Sequence, residues 1–451
     1  MRTHINLYMV AVISTIISTG LIAQDSIEEI TVTSSYVSHS DDAANDPIHI
    51  LSEEELATNS TQSLGETIDS LLGVSSADYG AAVGQPIIRG MSGSRVKVLN
   101  NGLVVRDMSG IGIDHVNEVD LNAVKQIEII RGPSSLMYSN GAIGGIVNIV
   151  DDTIAREDFA DRDLRIDLEA QSANDGKIGG FSYKENLGGL NLSYAYKDSS
   201  LENYDIPKGA VIHSEEHEEG HEEDHDEDHD EDMGFLENSD FESKTHRLGL
   251  STTGDWGYFG ASYLNTESVY GIPYHGEGHE GHGHGGHDED HDEDHDDDHD
   301  GGHDEHEGER IFSTTDSDVF NIEGSYNFNS DTLNSMRYYY RNSDYSLTEQ
   351  HAEEEGHEGE DHDEDHDDDH DGHGHEEGPT VFSNESDEYG LILDFGDDSL
   401  SQKLVLQNMN EDVSIIGAEA FMNPVDSSEK MIGYYVGTSL MGLDLHLGIR
   451  H

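Results

Sequence analysis

Three tracts of this chain consist almost wholly of His, Asp, Glu and Gly, and they limit what the rest can fold into. They span residues 213–232, 275–310 and 351–377 and contain 22 of the 29 histidines. Such segments have too few apolar side chains to build a core, so we expect them to be solvated loops. Any fold of this chain must therefore place three long connections at its surface.

The tracts also combine imidazole nitrogens with carboxylate oxygens, the ligands of borderline divalent metals, zinc first and then nickel and copper(II). A four-residue histidine spacing recurs, which would align ligands on a helix, although the Asp and Gly content disfavours a stable helix. We interpret the tracts as weak, exchanging sites that raise the local metal concentration; calcium binding by the carboxylates is an alternative that the histidines do not suit. The regularly spaced histidines are His217, His221, His225, His229, His287, His291, His295, His299, His362, His366 and His370.

Composition excludes several classes of function. The formal net charge is -75, which argues against a nucleic-acid partner and favours cations. The chain has no cysteine, so disulfides and thiolate metal sites are excluded and a copper(I) role is disfavoured. No nucleophile–base constellation or phosphate-binding loop stands out, and we predict that the protein is not an enzyme.

The N-terminal residues 1–23 are typical of a secretory signal peptide. Arg2 and His4 precede an apolar run at residues 7–17, and we expect cleavage after Ala23. The run is too short for a membrane-spanning helix, and no later stretch reaches the required length of about 18 apolar residues. We therefore predict export, and a mature protein that is either soluble or a β-barrel.

A polar linker at residues 24–45 precedes a predicted α+β domain at residues 46–152. The alternating segment 28–33 in the linker has the pattern of an isolated strand that awaits a partner edge. Ser52 and Glu55 form a capping-box pattern at a helix start, and residues 63–72 predict a second helix. Asn100-Asn101-Gly102 predicts a hairpin turn. Strands are predicted at residues 85–89, 95–99, 103–105, 126–131 and 145–150.

From about residue 160 to 451 the chain alternates apolar and polar residues in segments of about ten, the pattern of a transmembrane β-barrel. A soluble sandwich would alternate too, but the export signal, the Tyr-rich segment ends and the long loops favour a barrel. From the second connection onward, short and long connections alternate, which places all three tracts on one side of a membrane. The predicted strands are residues 164–171, 177–187, 190–197, 241–253, 256–267, 317–328, 333–347, 382–395, 402–410, 430–439 and 443–451.

Residues 24–152 resemble the plug of TonB-dependent outer-membrane receptors. The motifs are QPIIRG at residues 85–90, QIEIIRGP at 126–133 and LMYSNGAIGGIVNI at 136–149. The resemblance implies a plug inside an antiparallel barrel, in the outer membrane of a Gram-negative bacterium and in contact with its lipid, with the tracts extracellular. It also implies TonB as the periplasmic partner, bound at a TonB box formed by Glu29, Ile30, Thr31, Val32 and Thr33.

Within that family the chain is most similar to zinc receptors with His-rich extracellular loops. DMSGIGIDH at residues 107–115 resembles their plug apex loop, which implies zinc ligands at Asp114 and His115. YGIPYH at residues 270–275 resembles the start of one of their His-bearing loops. Zinc usually has about four ligands, so loop residues must complete the site, and the candidates are His275 with one or more of His279, His282 and His284.

A plugged barrel of this kind has about 22 strands, whereas we count eleven segments, so the chain resembles the N-terminal half of a receptor. It is then a fragment, a truncated gene model or the product of a disrupted gene. The expected function is TonB-dependent import of a divalent transition metal, zinc foremost, as a transported ligand rather than a catalytic cofactor. Nickel or copper(II) uptake, surface metal sequestration without transport, and an inactive fragment are the alternatives.

Overall fold

The computed structural model describes residues 48–59, 63–208, 210, 234–273, 310–328, 330, 332–351, 378–397, 400–418, 420–440 and 443–451. The predicted signal peptide, the TonB box and the tract interiors lie outside these residues, and so do His275, His279, His282, His284 and the regularly spaced tract histidines. Among the helices of the described residues, none has the length and apolar character needed to cross a membrane.

The first part of the described chain is an α+β domain, as predicted. Five of its strands form one mixed sheet in the order β1-β6-β7-β4-β5, and β2 and β3 form a separate antiparallel pair. The elements are β1 (Ile48–Ser52), α1 (Glu53–Asn59), α2 (Leu64–Ile68), β2 (Val74–Tyr79), β3 (Val83–Ile88), β4 (Val96–Asn100), β5 (Leu103–Val104), β6 (Gln126–Ile130) and β7 (Gly145–Val150).

Local sequence explains where these elements begin and turn. The Ser52 N–H donates to Glu55 Oε2 at 2.9 Å and the Glu55 N–H donates to Ser52 Oγ at 3.4 Å, which is the predicted capping box. Ser63 caps α2 by accepting from the Glu66 N–H at 3.3 Å. Between β4 and β5, Asn101 and Gly102 have φ values of 52° and 88°, as a type I′ turn requires.

The second part is an 11-stranded antiparallel sheet in which all eleven predicted segments are strands. Its strands follow one another as neighbours, except that the short pair β11–β12 lies within the connection after β10. The separate pair is β11 (Tyr204–Asp205) and β12 (Phe235–Leu236). The eleven strands of the sheet are β8 (Asp163–Ala170), β9 (Lys177–Asn186), β10 (Asn191–Leu201), β13 (Phe241–Gly254), β14 (Gly257–Gly271), β15 (Ile311–Asn327), β16 (Leu333–His351), β17 (Thr380–Asp397), β18 (Leu400–Ile416), β19 (Val425–Leu440) and β20 (Leu443–Arg450).

The two faces of this sheet decide between a barrel and a soluble sandwich. On β13 the inward residues are polar and buried, as Thr245, Arg247 and Ser251 show. The outward residues alternate with them and include Leu248 and Leu250, which are exposed by 41% and 42%. A sandwich would bury the apolar face, whereas a membrane barrel turns it toward lipid and keeps the inner face polar. The sheet is therefore part of a transmembrane β-barrel.

The antiparallel order also fixes where the tracts leave the sheet. The strands that flank them are β10 and β13, β14 and β15, and β16 and β17, and each pair is antiparallel. Because neighbouring strands run in opposite directions, the three tract connections start from the same end of the sheet. The short connections β13–β14, β15–β16 and β17–β18 lie at the other end.

Buried ion pairs hold the plug against the inner face of the sheet. The Arg247 guanidinium of β13 lies 2.7 Å from Asp120 and 3.4 Å from Asp151, both in the plug. Burial alone would raise the pKa of Asp151, but the Arg247 guanidinium holds it well below its usual range. Farther along the sheet, Arg341 donates to the Val104 carbonyl at 3.2 Å.

Arg247 gives the first testable prediction. Arg247→Met leaves two buried plug carboxylates without their counter-charge, so we expect the purified chain in detergent to lose about 3–5 kcal/mol of unfolding free energy. Lys244→Met is the matched control, because Lys244 is exposed on the outer face of the same strand. Chemical denaturation followed by tyrosine fluorescence measures both, and equal stabilities of the two variants would contradict the pairing described here.

Candidate metal centre

The plug apex loop, residues 107–118, connects the end of the β4–β5 hairpin to the segment that leads into β6. Asp107 closes its base, because Asp107 Oδ2 accepts from the Glu118 N–H at 2.9 Å. Asp107 Oδ1 accepts from the Ser109 N–H at 3.1 Å and from the Ser109 hydroxyl at 2.6 Å. These bonds fold the intervening residues into a compact loop whose far end carries Asp114 and His115.

Gln85 supports this loop from inside the plug. Its side-chain amide is buried and donates to the carbonyl oxygens of Ser109 at 2.7 Å and Gly112 at 2.6 Å. A Cβ at Gly112 would lie 2.4 Å from Asp114 Oδ1, so a larger residue there would displace the Asp114 carboxylate. The first residue of the QPIIRG motif therefore positions the apex loop, a role that the sequence alone did not reveal.

His115 is oriented as metal-binding histidines usually are. Its Nδ1 lies 3.1 Å from the Met108 carbonyl oxygen, so an N–H on Nδ1 donates to that oxygen, and in the neutral imidazole the Nε2 lone pair is then available to a metal. The ring is 4% exposed and packs edge-on against Phe382, with the ring centroids 4.9 Å apart. Packing and the hydrogen bond together fix the direction of Nε2.

Glu349 of β16 brings a third ligand group to this position. Its Oε2 lies 4.0 Å from His115 Nε2, and ligand atoms of Asp114, His115 and Glu349 lie within 4.8 Å of one another. Glu349 faces the plug because it continues the inward alternation of Tyr345 and Leu347. It pairs in register with Ser313 of β15 and Thr380 of β17, so the sheet holds its backbone rigidly.

One nitrogen and two carboxylates form a ligand set for a borderline divalent cation. In a tetrahedral zinc site with bonds of about 2.0–2.2 Å, neighbouring ligand atoms lie about 3.3–3.5 Å apart. The observed separations of up to 4.8 Å would therefore shorten by as much as about 1.5 Å around an ion. Because zinc usually has four ligands, three protein groups leave one position for a further side chain, water or an exchanging ligand.

The surroundings of the site strengthen any ion binding there. A buried apolar cluster of plug and sheet residues lies beneath it and includes Met108, Tyr270, Leu347 and Phe382. Such a setting has a low effective dielectric constant, in which paired opposite charges attract more strongly than in water. Glu349 is 7% exposed in this setting, so a cation bound there would be attracted to its carboxylate more strongly than in water.

A second pair of carboxylates lies at the base of the apex loop. Removal from water, together with the nearby Asp107 carboxylate, raises the pKa of Glu118 from its ordinary value of 4.5 to about 8. Burial also raises the pKa of Asp107. Between pH 4.5 and about 8, Glu118 therefore keeps a proton in the folded state that it releases in the unfolded chain. The stability that this proton contributes is fully present below pH 4.5 and is lost as the pH rises to about 8.

Glu349 gives the second testable prediction. Glu349→Gln removes one charged ligand, so we expect the tightest zinc affinity to fall by about 10- to 100-fold in calorimetry. Glu385→Gln is the matched control, because Glu385 lies exposed on the outer face of the adjacent strand β17. If both variants bound zinc as the wild type does, Glu349 would not be a ligand.

The structure thus brings Asp114 and His115 together, and it adds Glu349, which the sequence did not identify. The predicted β16 segment ended at Leu347, two residues short of it. In the sequence, the one sign that Glu349 could be a ligand is that it is a charged residue at an inward position of the strand pattern, next to a tract. The histidines proposed to complete the site lie outside the described residues, and they stay predictions.

Comparison with known proteins agrees with this architecture. Residues 41–146 match the family described as TonB-dependent Receptor Plug Domain. The vitamin B12 transporter BtuB of Photobacterium profundum is 30% identical over 106 residues, which are 23% of this chain and 17% of that protein. The sequence similarity thus covers the plug, and the rest of the chain is compared through its fold.

Solved structures extend the similarity across the sheet. The copper transporter OprC has a TM-score of 0.57 at 11% identity, over 89% of this chain and 54% of that one. The Serratia marcescens hemophore receptor HasR has a TM-score of 0.62 at 11% identity, over 89% and 51%. The siderophore receptor PirA from Acinetobacter baumannii has a TM-score of 0.60 at 14% identity, over 92% and 58%.

The chain therefore spans little more than half the length of these solved receptors and transporters, and 89–92% of it shares their fold. The chain thus contains a TonB-dependent receptor plug domain at residues 41–146, and its overall fold is shared with these solved receptors and transporters.

Proposed function

We propose that this receptor imports a divalent transition metal, zinc foremost, and that Asp114, His115 and Glu349 bind the ion before it crosses the plug. The observation that supports this most directly is the convergence of the three ligand groups within 4.8 Å. That span fits a single ion. The family also imports siderophores, heme and vitamins, and the fold does not distinguish among these cargoes.

The tracts act as the collector in this proposal. Their histidines and carboxylates bind extracellular metal weakly and raise its concentration near the barrel mouth. The three tract connections start from one end of the sheet, the end at which β16 presents Glu349 two residues before its last residue, His351. An ion released from a tract would therefore be close to the apex site, where more rigid ligands bind it more tightly.

Release of the ion into the periplasm would depend on TonB, as it does in the TonB-dependent receptor family. Binding of the ion at the apex site changes the relative populations of the plug's conformations. In the favoured conformation, the segment from Ile30 to Thr33 is accessible to TonB in the periplasm. TonB pairs with that segment by strand addition and rearranges the plug.

Metal identity is tested by competition. The purified chain in detergent is loaded with radioactive zinc and then exposed to copper(II), nickel or calcium. We expect copper(II) to displace zinc most effectively, since nitrogen and oxygen sites generally follow that order, and calcium to fail. Displacement of apex-bound zinc by equimolar calcium would rule out a transition-metal site. Nickel and copper(II) are the alternative cargoes, and one receptor of the same fold is named a copper transporter.

The tracts give the third testable prediction, which concerns pH. We expect zinc binding by the tracts to weaken as the pH falls below about 6.5, because protonated imidazole does not ligate metals. Carboxylates stay ionised at pH 5.5, so a calcium-type site would keep its affinity there. Equilibrium dialysis at pH 7.5 and 5.5 separates the two, and equal zinc binding at both values would argue against histidine ligation.

A further inference from the structure

A row of polar side chains crosses four neighbouring strands at the level of the apex site. Tyr270 of β14 pairs in register with Ser313 of β15, and Ser313 pairs with Glu349 of β16. Thr380 of β17 continues the row on the other side of Glu349. All four residues are buried, so their side chains lie on the inner face of the sheet. Glu349 therefore has a hydroxyl-bearing neighbour on each side.

Two hydroxyls in this row have no structural explanation. The side chains of Tyr270 and Ser313 are both 0% exposed, and neither hydroxyl has a hydrogen-bond partner among the residues that the structure describes. The Tyr270 phenol interacts with the Ser313 hydroxyl and with the backbone of Val116, but with neither is the geometry that of a hydrogen bond. A buried hydroxyl without a partner costs free energy. Two of them side by side point to an arrangement of the site in which both have partners.

The spacing of the row allows these hydrogen bonds to form along it. Side chains directly opposite each other on antiparallel strands have Cβ atoms about 4.5–5.5 Å apart. The Ser313 hydroxyl is therefore within reach of the Glu349 carboxylate on one side and of the Tyr270 phenol on the other. A serine hydroxyl can donate one hydrogen bond while it accepts another. The row can thus carry a chain of hydrogen bonds from Tyr270 through Ser313 to Glu349.

Ion binding at the apex gives this chain a reason to form. Ligand atoms of Asp114, His115 and Glu349 are separated by up to 4.8 Å and must come closer around an ion. Because the sheet holds the Glu349 backbone, its carboxylate approaches the ion by rotation of the side chain, which also moves it relative to Ser313. Metal-binding carboxylates are commonly held in orientation by hydrogen bonds from neighbouring groups.

We propose that Tyr270 and Ser313 are positioning residues of the apex site. When an ion binds, Tyr270 donates to the Ser313 hydroxyl, and Ser313 donates to the Glu349 carboxylate oxygen that does not bind the ion. The inference rests on the metal binding proposed above. Neither hydroxyl touches the ion, so both act on its affinity through Glu349. In the ion-free protein the same two hydroxyls have no hydrogen bonds to lose, and they lower the stability.

Two hydroxyl deletions test this assignment in the purified full chain in detergent. Ser313→Ala and Tyr270→Phe each remove one hydroxyl and keep the rest of the side chain. Calorimetry with zinc chloride measures the affinity, and thermal unfolding after treatment with a chelator measures the ion-free melting temperature. Ser199→Ala is the matched control. The Ser199 hydroxyl is also buried without a partner among the described residues, but it lies on β10, four strands from Glu349 in the sheet.

We expect Ser313→Ala to weaken the tightest zinc affinity by about tenfold, because metal sites lose about 10- to 100-fold when a supporting hydrogen bond is removed. Tyr270→Phe, one bond farther from Glu349, should weaken it by about threefold. The ion-free melting temperature should not fall in either variant, since each deletion removes a buried hydroxyl without a partner. Ser199→Ala should keep the wild-type zinc affinity.

A combined variant shows whether Ser313 acts through Glu349. Once Glu349→Gln has removed the carboxylate, adding Ser313→Ala should weaken zinc binding by less than about twofold further. Wild-type affinity in Ser313→Ala or Tyr270→Phe would overturn the proposal, and so would an equal loss in Ser199→Ala. A loss of affinity joined to a lower ion-free melting temperature would overturn it too, because the hydroxyls would then support the fold. An undiminished effect of Ser313→Ala beside Glu349→Gln would exclude action through Glu349.

The proposed function and the positioning role fail in different ways. If the wild type has no tight zinc site that depends on Asp114 and His115, the proposed function fails whatever the hydroxyl variants do. If that site is present and Ser313→Ala and Tyr270→Phe bind zinc as the wild type does, only the positioning role is wrong.

Discussion

Replacing Asp114 and His115 by Ala is expected to abolish the tightest zinc site, with an affinity loss of at least about 100-fold. The double variant removes two of three converging ligands and leaves Glu349 alone on the sheet. The weak sites of the tracts should remain, because they lie elsewhere in the chain. Calorimetric titration of the purified protein in detergent separates the two classes by affinity.

Two controls make this result specific. Circular dichroism and thermal unfolding show whether the double variant keeps the wild-type fold. Replacing His246 and Asp318 by Ala removes the same residue types from the outer face of the sheet, where His246 pairs with Asn265 and Asn265 with Asp318. If the Asp114 and His115 variant titrated as this control does, the apex loop would not hold the tight site.

Deleting residues 28–33 is expected to reduce zinc uptake by cells to background while leaving zinc binding at the cell surface unchanged. The deletion removes the predicted TonB box, so energy would no longer reach the plug, but it leaves the apex site and the tracts intact. Uptake and surface binding of radioactive zinc are measured on the same cells, with and without a chelator wash.

This second prediction separates transport from the other functions considered. A surface protein that sequesters metal would bind zinc and show no uptake that depends on residues 28–33, and an inactive fragment would show no uptake at all. A deletion of equal length at residues 35–40, within the linker, controls for shortening of the chain. Uptake that survives the deletion of residues 28–33 would refute coupling to TonB.

Much of the fold was predictable because it depends on local chemistry. The capping box at Ser52 and the Asn101-Gly102 turn are local patterns, and both have the expected geometry. All eleven barrel segments alternate strongly enough to identify them as strands. Most proved longer than predicted, since near the tract ends inward residues such as Ser313 and Thr315 are polar, and the hydropathy alternation fades there.

Other features depend on contacts that no local pattern reveals. Strand β2 has the polar sequence VSSADY and forms only because β3 pairs with it. At the metal centre, the apex pair could be predicted from the resemblance of residues 107–115 to a family loop. Glu349 could not, because its approach to His115 depends on how the plug sits against the inner face of the sheet.

Anomalous diffraction would show whether one divalent ion binds between the plug apex and β16. Crystals of the chain grown with zinc would be measured on both sides of the zinc absorption edge. We expect an anomalous peak about 2.0–2.2 Å from His115 Nε2 and from carboxylate oxygens of Asp114 and Glu349. Zinc peaks confined to other parts of the protein, with none between these three residues, would contradict it.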